Sequence, residues 1–191
     1  AADLDNDGDL DLLTVGSSVH LFANDGEGIF TDISDAAGLA SASADQAAFS
    51  DFDNDRDVDI ILLSSSGLQV YSNNRDGSFT EVSSALGLDR AKGSGLAIAD
   101  YNQDSYMDLA IVSESGRLEI YNNREGQTFA LQTVPPAASI PPHLQAADLD
   151  NDGDLDLLTV GSSVHLFAND GEGIFTDISD AAGLASASAD Q

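Results

Sequence analysis

The same acidic nonapeptide returns four times along the chain at a nearly constant interval. It reads DLDNDGDLD at 3–11, DFDNDRDVD at 51–59, DYNQDSYMD at 100–108 and DLDNDGDLD at 148–156, with starts 48, 49 and 48 residues apart. Self-similarity at such a period marks a repeat architecture, in which each unit buries its apolar face against the next. Residues 1–46 and 146–191 are identical letter for letter, and the two middle units are weaker relatives. The chain divides accordingly into units 1–46, 47–95, 96–145 and 146–191. Drift soon separates duplicated stretches, so perfect identity over 46 residues points to a recent or deliberate copy.

Each unit reads as short strands. AAFS (47–50) and LAIA (96–99) precede an acidic stretch; LDLLTV (10–15), DIILLS (59–64) and DLAIVS (108–113) follow one. SVHLFA (18–23), LQVYS (68–72) and LEIYN (118–122) come next, then IFTDIS (29–34), FTEVS (79–83) and FALQTV (129–134). Runs of about five β-branched and aromatic residues between Gly, Asn and Asp turns predict a four-stranded antiparallel meander. Leu10 and Leu12 alternate with Leu13 and Val15, so both faces of the sheet are apolar and both need a cover. Stacked four-stranded sheets of this length predict an all-β fold, a β-propeller built of four-stranded antiparallel blades.

The nonapeptide carries the chemistry. Asp3, Asp5 and Asp7 stand at its positions 1, 3 and 5, where a tight loop turns alternate side chains toward one point. Gly8, at position 6, permits the left-handed backbone of a sharp turn. Asp9 then offers its carbonyl, and Asp11 closes the shell from the next strand. Six to eight hard oxygen ligands suit Ca²⁺, whereas Mg²⁺ keeps more of its waters. A bound divalent cation is also what makes so many like charges tolerable in nine residues. An EF-hand loop begins alike but requires Glu at position 12 and a helix afterwards; here that position is Thr14, within a strand-like run.

The corresponding positions are Asp51, Asp53, Asp55, Asp57 and Asp59 in the second loop; Asp100, Asn102, Asp104, Tyr106 and Asp108 in the third; and Asp148, Asp150, Asp152, Asp154 and Asp156 in the fourth. Arg56 replaces the glycine in loop two. In loop three Asn102 is neutral, Ser105 sits at the glycine position and Tyr106 offers only its carbonyl. The expected order of affinity is loops one and four first, then two, then three.

A second motif, NDGEGIF (24–30), NNRDGSF (73–79), NNREGQTF (122–129) and NDGEGIF (169–175), follows each loop, and DAAGL (35–39) or SALGL (84–88) closes three of the four units, the third ending instead in VPPAASIPPHLQ (134–145). With these elements the chain resembles the FG-GAP/VCBS repeat family, the calcium-binding blades of integrin α-subunit heads and of many bacterial surface proteins. The resemblance implies Ca²⁺ held in the hairpin between the first two strands of each blade. It also implies roles in adhesion, ligand recognition and scaffolding outside the cytoplasm. Family propellers usually have seven or eight blades and this chain has four repeats, so the ring closes within the chain or by oligomerisation.

The ends are complementary in sequence. Gln191 followed by Ala1-Ala2-Asp3 would recreate the junction Gln145-Ala146-Ala147-Asp148, and an open edge strand is a liability unless paired. A homo-oligomer, most simply two copies, is one way to satisfy both ends. Composition narrows the other partners. With 34 acidic against 6 basic residues the formal charge is -28, which repels nucleic acid and anionic membranes. Hydrophobic residues make up 42% of the chain, too many for an acidic disordered tail. The chain has no cysteine, no apolar run long enough for a membrane span and no signal-peptide pattern.

Nothing in the sequence demands an enzyme. His20, His143 and His165 fall in no nucleophile-elbow pattern, so no catalytic residue is assigned. The repeated aromatics Phe22, Phe30, Tyr71, Phe79, Tyr121 and Phe129 are expected to pack between blades rather than stack on sugars. PPAASIPP (135–142) reads as a stiff connector. The expected function is a non-enzymatic, calcium-binding scaffold of adhesion type at the cell surface or beyond it, with a protein or glycan ligand. The alternatives are a lectin-like propeller and a designed repeat assembly with no ligand beyond the ion.

Overall fold

The computed structural model describes residues 1–134 and 140–184. Most of the proline-rich connector and the terminal ASASADQ lie outside the described residues. Four antiparallel sheets follow one another in chain order. The first contains β1 (Leu12–Thr14), β2 (His20–Asn24) and β3 (Phe30–Asp32). The second contains β4 (Gln46–Ser50), β5 (Asp59–Ser64), β6 (Gly67–Asn73) and β7 (Phe79–Glu81). The third contains β8 (Gly93–Ala99), β9 (Asp108–Ser113), β10 (Leu118–Arg124) and β11 (Thr128–Thr133). The fourth contains β12 (His143–Ala147), β13 (Asp156–Val160), β14 (Val164–Asn169) and β15 (Phe175–Asp177).

Each sheet is a meander whose strands pair only with their chain neighbours, the geometry of a propeller blade. In blade one a single bridge, Ala2 to Asp11, stands where the other blades have a first strand. The first strands are neighbours in space, β4 beside β8 and β8 beside β12. Gly95 permits the second approach: a Cβ there would meet the Pro142 carbonyl oxygen at 2.2 Å.

Burial explains the strand compositions. All six residues of β5 and of β9 are buried, because each lies in a blade covered on both faces. Three apolar clusters fill the seams. Leu21 and Leu39 of blade one meet Ile60 and Tyr71 of blade two. Ile61 and Val70 of blade two meet Leu109 and Tyr121 of blade three. Val112 and Ile120 of blade three meet Leu157 and Phe167 of blade four. Tyr71, Phe79, Tyr121 and Phe129 are all buried in these seams.

The unit-closing motif makes a tight turn with glycine in the left-handed region, φ +86° at Gly38 and +77° at Gly87. Its carbonyls then serve the next blade: the Ala37 oxygen accepts from the Phe79 N–H at 2.9 Å, and the Leu86 oxygen from the Phe129 N–H at 2.8 Å.

Candidate metal centre

The acidic loops join the first two strand positions of each blade, and all four adopt one backbone path. Position 4 is left-handed throughout, with φ of 61° at Asn6, 59° at Asn54, 57° at Gln103 and 63° at Asn151. Position 6 is left-handed as well, with φ of 96° at Gly8 and 97° at Gly153. Arg56 and Ser105 follow the same path at 76° and 73° despite their Cβ atoms.

Position 1 organises the turn. The Gly8 N–H donates to Asp3 Oδ2 at 3.1 Å, and the equivalents are Arg56 to Asp51, Ser105 to Asp100 and Gly153 to Asp148. Position 3 accepts from the N–H two residues on, as in Asp7 to Asp5 and Asp104 to Asn102. Position 9 is the buried one. Asp11 accepts the Leu4 N–H at 2.8 Å on one oxygen and the Asn24 N–H at 3.0 Å on the other. Asp59, Asp108 and Asp156 repeat this double acceptance, so each ties its loop to the following strand.

Three loops bring carboxylates together. In each of the triads Asp3–Asp5–Asp11, Asp51–Asp53–Asp59 and Asp148–Asp150–Asp156, one oxygen per residue lies within 4.8 Å of the others. The third loop has Asp100 and Asp108 in the same places, but Asn102 supplies an amide oxygen instead of a charge. Asp7, Asp55, Asp104 and Asp152 turn back on their own loops, accepting the N–H two residues on at 2.9–3.0 Å. At position 7 the Asp9, Asp57 and Asp154 side chains leave the loop. Asp9 and Asp154 lie over Gly26 and Gly171, where a Cβ would come within 2.4 and 2.5 Å of their carboxylates. What these residues and Tyr106 could offer a cation is a main-chain carbonyl.

The donor set fits a hard divalent cation. Its converging atoms are carboxylate oxygens, and the buried Asp3 Oδ1 has no hydrogen-bond partner. The crowding also shows in acidity. Burial, reinforced by Asp53 and Asp55, pushes the Asp59 carboxyl up to about 7. Burial with Asp104 and Asp100 pushes Asp108 up to about 6. Asp5 is likewise raised by burial and by Asp11 and Asp7. These three carboxyls hold their protons more tightly than free carboxyls do, and a bound cation would relieve that cost.

Two features escaped the sequence reading. A second cation, Arg75, stands beside loop two in addition to Arg56, and both are exposed. Arg75 stands where Gly26 and Gly171 stand in the end blades. Its guanidinium binds the Asp57 carboxylate and the Asp55 carbonyl, with Asp55 Oδ1 at 3.7 Å. The second feature is a set of bonds between blades. Asn73 donates to the Leu4 carbonyl, Asn123 to Phe52 and Asn169 to Tyr101, at 2.7–2.8 Å. At the rim, Asn6 donates to Asp57, Asn54 to the Ser105 carbonyl and Gln103 to Asp154, so each loop grips the next.

Two of the three histidines, His20 and His165, form a different grouping. Ser18 Oγ lies 3.0 Å from His20 Nε2, and His20 Nδ1 lies 3.1 Å from Asp32. Ser163, His165 and Asp177 repeat the arrangement at 3.1 and 3.7 Å. The order is that of a hydrolase triad, but such triads rest on a buried aspartate, and the Asp32 side chain is 46% exposed.

The pattern of loops and blades is matched by a family model described as FG-GAP-like repeat, over residues 3–62, 51–111 and 100–159. The chain belongs to the FG-GAP-like repeat family. A comparison with curated proteins finds no match. Among solved structures the repeat resembles an Agrocybe aegerita lectin that recognises non-reducing terminal N-acetylglucosamine, with TM-score 0.60 and 19% identity. That alignment covers 92% of this chain and 49% of the lectin, so this FG-GAP chain spans about half the lectin's length. The Photorhabdus luminescens Tc holotoxin pore also aligns, at 20% identity and TM-score 0.48, over 92% of this chain and 9% of that one.

Proposed function

We propose that the chain is a non-enzymatic, calcium-binding propeller that serves outside the cytoplasm as a binding scaffold of the adhesion type. The observation that carries the reading is the carboxylate triad, built three times on one loop path, with an unpartnered Asp3 oxygen in the first copy. Calcium is favoured over magnesium because each triad gathers three carboxylates to which a position 7 carbonyl could be added, whereas magnesium retains several waters. The ion would neutralise each loop and fix the hairpin that the rim bonds then lock to its neighbour. Extracellular modules commonly bind calcium with Kd of about 10⁻⁴–10⁻³ M, and that is the affinity expected here. Isothermal titration of the EDTA-stripped chain tests this. Saturable calcium binding at neutral pH supports the reading, and absence of heat at millimolar calcium refutes it.

A second reading, a carbohydrate-binding propeller, draws support from the fold shared with a lectin that recognises terminal N-acetylglucosamine. The buried seam aromatics are closed to sugar stacking, so a glycan would have to bind on the blade rims. A glycan array read with and without calcium distinguishes the two readings.

A further inference from the structure

The two end blades have the same sequence, yet the fold covers opposite faces of them. Blade one buries Leu4 and Leu39 against blade two, at 2% and 0% exposure, and leaves Leu12 and Phe30 open at 41% and 42%. Blade four inverts the pattern. Leu157 and Phe175, the equivalents of Leu12 and Phe30, are buried against blade three at 0% and 2%. Leu149, the equivalent of Leu4, is 45% exposed, and Leu184 is only half-buried. The face left open by blade four is therefore the face with which blade one holds blade two. The face left open by blade one is the face with which blade four holds blade three.

The polar contacts of the internal seams predict their own continuation. The asparagine that reaches the preceding blade's carbonyl in blades two, three and four is Asn24 in blade one, where among the described residues it donates only to its own Leu10 carbonyl, at 3.2 Å. Its missing counterpart is the Leu149 carbonyl. By the same register Phe30 N–H matches the Ala182 carbonyl, and Asn151 matches Asp9 at the rim.

We infer that a second copy of this chain docks head to tail, blade four of one chain packing on blade one of the other to make a seam of the kind already present three times. Each chain has one head and one tail, so two chains related by a twofold axis bury both open faces and close an eight-bladed ring. The inference goes beyond the calcium reading and does not depend on it.

Light scattering of the 191-residue chain should give twice the chain mass. Leu166, the equivalent of the seam residue Leu21, is only half-buried on the open face of blade four, and Phe30→Glu at the head or Leu166→Glu at the tail should each reduce the mass to one chain, with circular dichroism unchanged. An equimolar mixture of the two variants should regain the dimer mass, since one head and one tail remain intact. Leu12→Glu with Leu184→Glu repeats the test at other residues of the two faces should either first variant misfold. A wild-type chain at single mass overturns the inference. So does a dimer indifferent to both variants, or two folded variants that fail to associate when mixed. Titration calorimetry on the same samples keeps the outcomes apart: single-mass chains that still bind calcium count against the seam alone.

Discussion

The identical end units allow stability to be compared at the same residue in the same local sequence. Leu157 is fully buried in the seam with blade three, whereas Leu12 is 41% exposed. Truncating a fully buried leucine to alanine costs about 2–5 kcal/mol, from lost transfer energy and the cavity left behind. At Leu12 no cavity is trapped and little burial is lost, so the cost is about 1 kcal/mol or less. Leu4 and Leu149 run the other way, the first buried and the second open. In a domain of this size 1 kcal/mol shifts Tm by about 2–4 °C, so Leu157→Ala and Leu4→Ala should lower it by roughly 4–20 °C. Leu12→Ala and Leu149→Ala should lower it by about 4 °C at most. The assay is calorimetric melting at dilution that keeps chains single, repeated at a concentration where they assemble. On assembly the two open leucines should become costly as well. The crossed order is the decisive feature, because a uniformly weak first or last unit would shift both of its leucines together. If Leu12→Ala costs as much as Leu157→Ala in single chains, or Leu149→Ala as much as Leu4→Ala, the packing scheme is wrong.

Arg56 holds a left-handed backbone, φ 76°, that favours glycine; Arg56→Gly should stabilise the chain by about 1 kcal/mol, read as a rise in Tm of about 2–4 °C. Of the three triad positions loop three lacks a carboxylate at the middle one, so Asn102→Asp should tighten calcium binding at this weakest loop, read by titration calorimetry.

The blades were legible because their signals are local. DIILLS and DLAIVS are apolar at nearly every position, which fits strands covered on both faces, and β5 and β9 are buried throughout. The acidic loop was legible because its alternating carboxylates and turn glycine lie within nine residues. Position 9 was read only as a ligand that closes the shell. That it accepts two backbone N–H groups depends on a strand 13 to 15 residues further on. Arg75 was missed because its partners lie about 18–20 residues back and meet it only through the blade's hairpins. The asparagine bridges span 68 to 71 residues and follow from how blades stack, so the second motif showed the residue but not its partner. The end faces were beyond any local reading: identical letters are buried in one blade and open in the other, because burial belongs to the neighbour.

Differential scanning calorimetry of the chain in calcium and in EDTA at neutral pH bears most directly on the calcium scaffold. A ligand at about 100 times its Kd stabilises the native state by ~2.7 kcal/mol per site, so each filled loop should raise Tm by about 5–10 °C. With three carboxylate triads the calcium-loaded chain should melt well above the stripped one, and magnesium should reproduce little of the shift. Superimposable melting curves in calcium and in EDTA would contradict the account.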